Sequence, residues 1–94
     1  MKKKIKLIYL KQPAKFIKKN NIKENEIDEL VIKLVKIIKF QKQINLDFKN
    51  LKGELKGKYR IRKGRIRIIV TIKDIEEILE AIIEYIDFRG NVYK

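Results

Sequence analysis

The sequence predicts one small domain of mixed helix and sheet, of the α/β or α+β class, in which two helices precede a basic β-hairpin. Residues 58–72 alternate apolar with charged side chains, which is typical of strands that bury one face. Residues 24–40 place apolar side chains at helical spacing. The chain has 94 residues, with neither cysteine nor histidine, so a modest core must stabilise the fold without disulfides or histidine metal sites.

The stretch KYRIRKGRIRIIVTI, residues 58–72, divides at Lys63-Gly64 into two predicted strands. Gly64 supplies the positive φ that a tight connection requires. One face of this hairpin is apolar and the other presents guanidinium groups, because successive side chains of a strand point to opposite faces. Six cationic side chains and no carboxylate lie between Lys58 and Arg67, and four of the five arginines of the chain are among them.

Two shorter elements are predicted before the main helix. Residues 5–10 form a strand with apolar side chains on both faces, as expected where a strand is covered on part of each side. A short helix begins at Gln12-Pro13, since proline suits a first helical turn. It ends near Lys19, with Phe16 and Ile17 facing inward.

The strongest predicted helix runs from Glu24 to about Phe40 and packs with the first as a helical hairpin. Its apolar positions follow the helical repeat throughout: Ile27, Leu30, Val31, Leu34, Val35 and Ile38. Acidic residues crowd its N-terminal end and lysines its C-terminal end, which suits the helix dipole. Residues 41–56 are predicted to be an ordered loop pinned by four apolar side chains: Leu46, Phe48, Leu51 and Leu55.

Residues 74–88 fit two patterns. Periodicity favours a helix, with Asp74 and Glu77 resembling a capping box ahead of an apolar face. That face contains Ile75, Ile78, Leu79, Ile82, Ile83 and Ile86. The strand alternative puts Glu80 and Glu84 on one face and four residues on the other: Leu79, Ala81, Ile83 and Tyr85.

Composition narrows the classes of function. A net charge of +13 attracts polyanions, with nucleic acid first. Scattered lysines also suit an ordinary solvated surface, but that explanation does not account for the clustered arginines. The absence of cysteine and histidine excludes thiol nucleophiles and the usual acid–base group, so we expect no metal and no cofactor. The basic N-terminus has too short an apolar run to span a membrane, and a cytoplasmic protein is expected.

Several short motifs, in this order and spacing, resemble the RelE/ParE superfamily of bacterial and archaeal toxins. They are Leu51-Lys52-Gly53, the YRIR run at 59–62, Gly64 followed by Arg67, and the terminal Arg89-Gly-Asn-Val-Tyr93. The resemblance covers most of the chain and implies one toxin-like domain over residues 1–94. It implies an α+β fold: a small antiparallel sheet of first strand, basic hairpin and C-terminal strand, with the helical hairpin packed on it. It therefore favours strand over residues 78–86, against the periodicity.

The resemblance also implies an activity, since RelE-like members cut messenger RNA in the ribosomal A site. Such cleavage uses the ribose 2′-OH as nucleophile and needs no metal. The residues predicted to be catalytic are Arg60, Arg62, Arg67, Arg89 and Tyr93. The first three suit the scissile phosphate, because a planar fork matches phosphate oxygens bidentately. Arg89 suits the leaving oxygen, and Tyr93 suits stacking on a base or positioning the 2′-OH. Further RNA contacts are predicted for Lys52, Lys56, Lys58, Lys63 and Arg65.

Two departures from the family pattern bear on mechanism. Some members have lysines where Arg60 and Arg62 stand, and arginine is a poor general base because it keeps its proton. Lys63 is the nearest lysine, but alternation points it to the opposite face. The chemistry is therefore expected to depend on electrostatic stabilisation and positioning. The second departure is Asp87, which either orients Arg89 or weakens phosphate binding.

Other side chains have simpler predicted roles. Tyr59 and Phe88 are predicted to pack in the core. Four acids are predicted to be salt partners of basic residues: Glu76, Glu77, Glu80 and Glu84.

Two alternative functions remain open at this point. One is a ParE-like toxin that binds DNA gyrase and cuts nothing, and the other is a basic RNA-binding module without catalysis. Either toxin class implies an antitoxin, expected to be RelB-like and acidic or amphipathic, with a segment that folds on contact. The nuclease class adds the ribosome and its mRNA as partners.

Overall fold

The computed structural model describes residues 3–51 and 57–89 as two helices and five strands. Their bounds are β1 Lys4–Tyr9, α1 Lys11–Lys19, α2 Glu24–Phe40, β2 Phe48–Asn50, β3 Lys58–Lys63, β4 Ile66–Ile75 and β5 Ile78–Phe88. The strands form one sheet in the order β1-β5-β4-β3-β2. The predicted α+β fold is confirmed. No helix in the described part of the chain is long and apolar enough to cross a membrane.

The sheet is antiparallel except at one edge, where β1 runs parallel to β5. This pair joins the first strand to the last, so the chain returns to β1 only after both helices and the β2–β4 strands. The predicted hairpin is present as β3 and β4, with Ile61 directly opposite Ile68. Gly64 has φ +58° in its two-residue connection, which is the conformation that glycine adopts without strain.

Segment β5 is a strand, so the helix favoured by periodicity is wrong. Part of the misleading pattern comes from exposed side chains, Ile75 and Ile78. The rest comes from a bulge: β4 pairs Ile69 with Tyr85 but Val70 with Ile83, which leaves Glu84 as the extra residue. The buried positions are therefore 79, 81, 83 and then 86, and the final spacing of three imitates a helix. The bulge also corrects the predicted strand face, because it turns Tyr85 away from the core.

The predicted loop over 41–56 contains a short strand that the sequence analysis missed. Strand β2 has only three residues, and Phe48 lies opposite Ile61 of β3. Three residues are too few for a periodic signal, so the pairing with β3 defines this strand. Leu51 is buried, as predicted for an anchor of this segment. Leu55, Lys52 and Lys56 lie outside the described residues.

Both helices pack on the same face of the sheet. The buried cluster joins α1 and α2 to three strands, β3, β4 and β5, through Ile17, Ile27, Val31, Leu34, Val35, Ile61, Ile68, Val70, Leu79, Ala81, Ile83 and Ile86. The opposite face, here called the open face, is left uncovered by α1 and α2. It presents the side chains that alternate with the core residues: Lys58, Arg60, Arg62, Arg67, Ile69, Thr71, Glu84, Tyr85 and Asp87.

The side chain of Gln12 fastens α1 to the edge of β5. Strand β1 ends at Tyr9, whereas β5 continues to Phe88 and presents further backbone groups at that edge. Gln12 Nε2 donates to the Ile86 carbonyl at 2.7 Å, and the Ile86 N–H donates to Gln12 Oε1 at 2.9 Å. One carboxamide thus replaces a strand partner and satisfies both backbone groups.

We expect Tyr9→Phe to destabilise the fold in a pH-dependent way. The Tyr9 hydroxyl donates to Asp28 Oδ1 at 2.6 Å, joining β1 to α2. Burial, followed by this bond and the charges of Asp28 and Glu24, raises the pKa of Tyr9 above its ordinary value. A raised pKa in the folded state means that the stabilisation is complete below about pH 10 and is lost as pH rises further.

Urea denaturation checks this expectation. At neutral pH the substitution should lower the free energy of unfolding by about 1–3 kcal/mol, the range for a bond to a charged group. The difference between wild type and variant should shrink above about pH 10, because only the wild type loses Tyr9 stabilisation there. A difference that stays constant up to about pH 11 would contradict the assignment.

Candidate nucleic-acid interface

Three of the predicted site arginines meet on the open face. Arg62 of β3 lies directly opposite Arg67 of β4, and Arg60 is two residues along the same strand face. Residues i and i+2 of a strand are roughly 6.6 Å apart, so one extended ligand can contact all three side chains. The alternation of residues 58–72 predicts this convergence, and the register of the hairpin provides it.

The guanidinium of Arg67 lies back across the β3–β4 connection. Its Nη1 donates to the carbonyl of Gly64 at 2.8 Å and to that of Ile66 at 3.1 Å. Desolvation, followed by the charges of Arg62, Arg60 and Arg89, lowers the pKa of Arg67. The opposing contribution comes from Asp47. Arginine stays protonated at physiological pH, so these shifts report a crowded cationic cluster rather than a proton acceptor.

Arg62 is held by an acidic residue that the sequence analysis did not select. Its Nε donates to Asp47 Oδ2 at 2.5 Å, and its backbone N–H donates to the Asp47 carbonyl at 2.9 Å. Both side chains are about half exposed, at 48% and 47%. This bond uses the Nε of Arg62. The two terminal nitrogens of the Arg62 guanidinium lie on its other edges and take no part in the bond. Asp47 is fifteen positions from Arg62, and only the pairing of β2 with β3 brings them together.

Arg89 lies beside the cluster at the end of β5. Its backbone N–H donates to the Arg65 carbonyl at 2.7 Å, and its charge acts on Arg67. Asp87, directly opposite Arg67 in the register, accepts from the Tyr85 hydroxyl at 2.9 Å and from the Phe88 N–H at 2.7 Å. Tyr93 lies outside the described residues.

The predicted supporting RNA contacts are distributed over both sides of the sheet. Lys58 is on the open face, where its ammonium group forms an ion pair with Glu84, and Thr71 bonds to both groups. Lys63 instead borders a cavity of about 270 Å³ on the helix side, together with residues of α2. The Arg65 guanidinium lies 5.3 Å from the ring centroid of Phe88.

Two other predicted roles are now clear. Phe88, predicted to pack in the core, is instead partly buried outside the core cluster and packs on Phe16 of α1 with ring centroids 5.1 Å apart. Glu84 is a salt partner, as predicted, and joins three strands through Lys58 and Thr71. No group of three or more metal-binding side chains occurs in residues 3–51 and 57–89.

We expect Asp47→Asn to strengthen RNA binding at low salt. Asparagine retains an oxygen acceptor for Arg62 Nε but removes the charge with which an RNA phosphate must compete. An exposed charge pair is worth about 1 kcal/mol in water, so the gain should be up to roughly fivefold. The effect should diminish between about 50 and 200 mM salt, because exposed charges are screened.

Fluorescence anisotropy with a labelled single-stranded RNA measures this change, and Asp74→Asn is the matched control. Asp74 is paired with Lys3 at the far end of β4, so its neutralisation adds the same charge away from the cluster. Equal gains from both substitutions would show that Asp47 acts only through net charge. Weaker binding by Asp47→Asn would contradict the competition argument.

The fold and this face together define a small basic α+β protein whose uncovered sheet surface suits a phosphate backbone. The sequence matches no protein-family model and no curated protein sequence. Its structure, however, is similar to solved structures over most of the chain.

The YoeB/ParE toxin from Agrobacterium tumefaciens superposes with a TM-score of 0.62 at 15% identity, covering 89% of this chain and 98% of that one. The YoeB dimer from Staphylococcus aureus gives 0.61 at 17% identity, covering 92% and 98%. A chain of the E. coli DinJ-YafQ toxin-antitoxin complex gives a TM-score of 0.60 at 16% identity, covering 100% of this chain and 100% of that one. The chain therefore shares the fold of these solved structures, which is the α+β fold that its motifs predict.

Proposed function

We propose that this chain is the toxin of a type II toxin–antitoxin pair and acts as a ribosome-dependent mRNA endoribonuclease. The observation that supports it most is the convergence of Arg60, Arg62 and Arg67 on a sheet face that neither helix covers. The shared fold with the YoeB/ParE toxin and with the DinJ-YafQ toxin-antitoxin complex supports the toxin class. A gyrase-binding protein has no need of clustered phosphate ligands.

In the proposed reaction the 2′-oxygen bonds to the adjacent phosphorus while the bond from phosphorus to the 5′-oxygen breaks. The 2′-OH proton is released and the leaving 5′-oxygen gains one, so the products are a 2′,3′-cyclic phosphate and a 5′-hydroxyl. Arg62 and Arg67 are proposed to bind the equatorial oxygens, where negative charge increases in the transition state. Arg89 is proposed to stabilise the leaving oxygen, and Tyr93 to position the 2′-OH or stack on a base.

The carboxylates beside the described site are already engaged by donors, Asp47 by Arg62 among them. The arginines remain protonated, and Asp87 already accepts hydrogen bonds from Tyr85 and Phe88. The proposed contribution of the chain is therefore to orient the phosphate and to neutralise the transition state. A substrate held in line by the ribosome would complement a site of this kind.

The proposed antitoxin is an acidic or amphipathic chain that covers the open face. Its carboxylates would replace RNA phosphates at the guanidinium groups, and a segment that folds on contact would bury Tyr85. A small reading frame adjoining this gene, whose product co-purifies with the chain, is the expected finding. An isolated gene would contradict the pairing.

In vitro translation of a defined message, followed by primer extension, tests the nuclease. Cuts within the A-site codon are expected with ribosomes, and none on the same message without them. Translation that proceeds without cuts would refute the endoribonuclease, and a supercoiling assay with gyrase would then test the ParE-like alternative. Cuts that do not require ribosomes would refute the ribosome dependence alone.

A further inference from the structure

The bulge in β5 puts an aromatic side chain beside the arginine cluster. Because Glu84 is the extra residue, Tyr85 lies opposite Ile69 on the open face. Ile69 is only 8% exposed, although it does not belong to the buried cluster beneath the helices. Its direct cross-strand neighbours are Arg60 on one side and Tyr85 on the other.

Hydrogen bonds hold the ring of Tyr85 in one orientation. Its hydroxyl donates to Asp87 Oδ2, and Asp87 Oδ1 in turn accepts the backbone N–H of Phe88. The bond to Asp87, with a smaller effect of desolvation, raises the pKa of Tyr85. The phenol is therefore neutral at physiological pH, and its proton is already engaged. What it offers a ligand is an oriented ring face.

Tyr85, Ile69 and Arg60 form a row across β5, β4 and β3 that is partly apolar and cationic at one end. The Nε of Arg60 is buried without a hydrogen-bond partner among the residues that the structure describes, so this guanidinium packs more closely than a solvated arginine. Arg67 is the diagonal neighbour of Tyr85 across β4 and β5. Diagonal side chains in a sheet are about 7–8 Å apart, which is within the reach of one nucleotide.

We propose that Tyr85 is a stacking platform for an unpaired RNA base whose adjoining phosphate binds Arg62 and Arg67. The ring would contact the base while the guanidinium groups of Arg62 and Arg67 bind the backbone. The subsite therefore prefers single-stranded RNA to polyanions that offer no unpaired base. Every base has a π face, so the subsite tolerates any sequence. The inference rests on the proposed function only in taking RNA as the ligand, because stacking requires no cleavage.

Equilibrium binding without ribosomes tests the subsite. The probes are a short single-stranded RNA and an abasic strand of the same length and charge, compared for wild type, Tyr85→Phe and Tyr85→Leu. Phenylalanine keeps the ring, whereas leucine keeps an apolar side chain opposite Ile69 but offers no π surface. Base stacking is worth about 1–3 kcal/mol per base, so wild type and Tyr85→Phe should prefer the RNA by roughly tenfold. Tyr85→Leu should lose most of this preference, with unchanged affinity for the abasic strand, and any remainder measures other base contacts such as the one proposed for Tyr93.

The outcomes separate this inference from the nuclease. A preference that is undiminished in Tyr85→Leu, or a wild type that binds both probes equally, would overturn the base subsite. Reduced affinity of Tyr85→Leu for the abasic strand would mean that the ring acts by shaping the sheet, which also overturns it. Urea denaturation of each variant verifies that it is folded. Since no ribosome is present, the subsite can fail while cleavage is retained, and the converse also holds.

Discussion

Arg67→Gln is expected to slow ribosome-dependent cleavage by about 10²–10³-fold, the typical cost of removing one preorganised donor to a developing oxyanion. Arg67 lies at the centre of the cluster, opposite Arg62 and within the field of Arg60 and Arg89. Single-turnover cleavage on programmed ribosomes, followed by primer extension, measures the effect. Saturating protein isolates the chemical step from binding.

Two comparison variants separate the effect of the planar guanidinium from the effect of its positive charge. Arg67→Lys keeps the charge but not the bidentate geometry, so it should recover only part of the rate. Lys15→Gln removes one positive charge from an exposed position of α1, away from the cluster, and should leave the single-turnover rate nearly unchanged. Cleavage by Arg67→Gln at the wild-type rate would remove Arg67 from the proposed mechanism. An equal loss in Lys15→Gln would show that net charge, not the cluster, is responsible.

Ile61→Ala is expected to lower the free energy of unfolding by about 2–5 kcal/mol, because it leaves a cavity in a packed core. Ile61 is fully buried and lies opposite Ile68, between the open face and helix α2. The total stability of a domain of this size is roughly 5–14 kcal/mol, so the loss is a large fraction. Urea denaturation monitored by circular dichroism measures it.

Ile75→Ala is the matched control for this substitution. It makes the same chemical change in a strand, but Ile75 is 47% exposed at the end of β4. Its cost should stay below about 1 kcal/mol, in the range of ordinary surface substitutions. Equal costs at both positions would contradict the packing derived for the sheet. Arg67→Gln should leave the free energy of unfolding nearly unchanged. Ile61→Ala and Arg67→Gln together would then show that one face of the hairpin is structural and that the other is the proposed RNA face.

Local pattern in the sequence was sufficient for the helix over residues 24–40, whose predicted bounds are those of α2. It was also sufficient for the hairpin and for its two faces, because alternation specifies which side chains share a face. The shared face of Arg60, Arg62 and Arg67 could therefore be derived before any coordinates. Resemblance to the toxin superfamily, rather than periodicity, indicated that residues 78–86 are a strand.

The tertiary structure decided what depends on pairing between distant segments. The bulge in β5 is a property of two strands in register, so no pattern within β5 could place Tyr85 on the open face. Strand β2 exists through its pairing with β3, and the same pairing brings Asp47 to Arg62. A periodic sequence determines which face a side chain occupies, because that is a property of one segment. Register, bulges and ion pairs across strands arise from contacts between segments, and only the folded chain defines them.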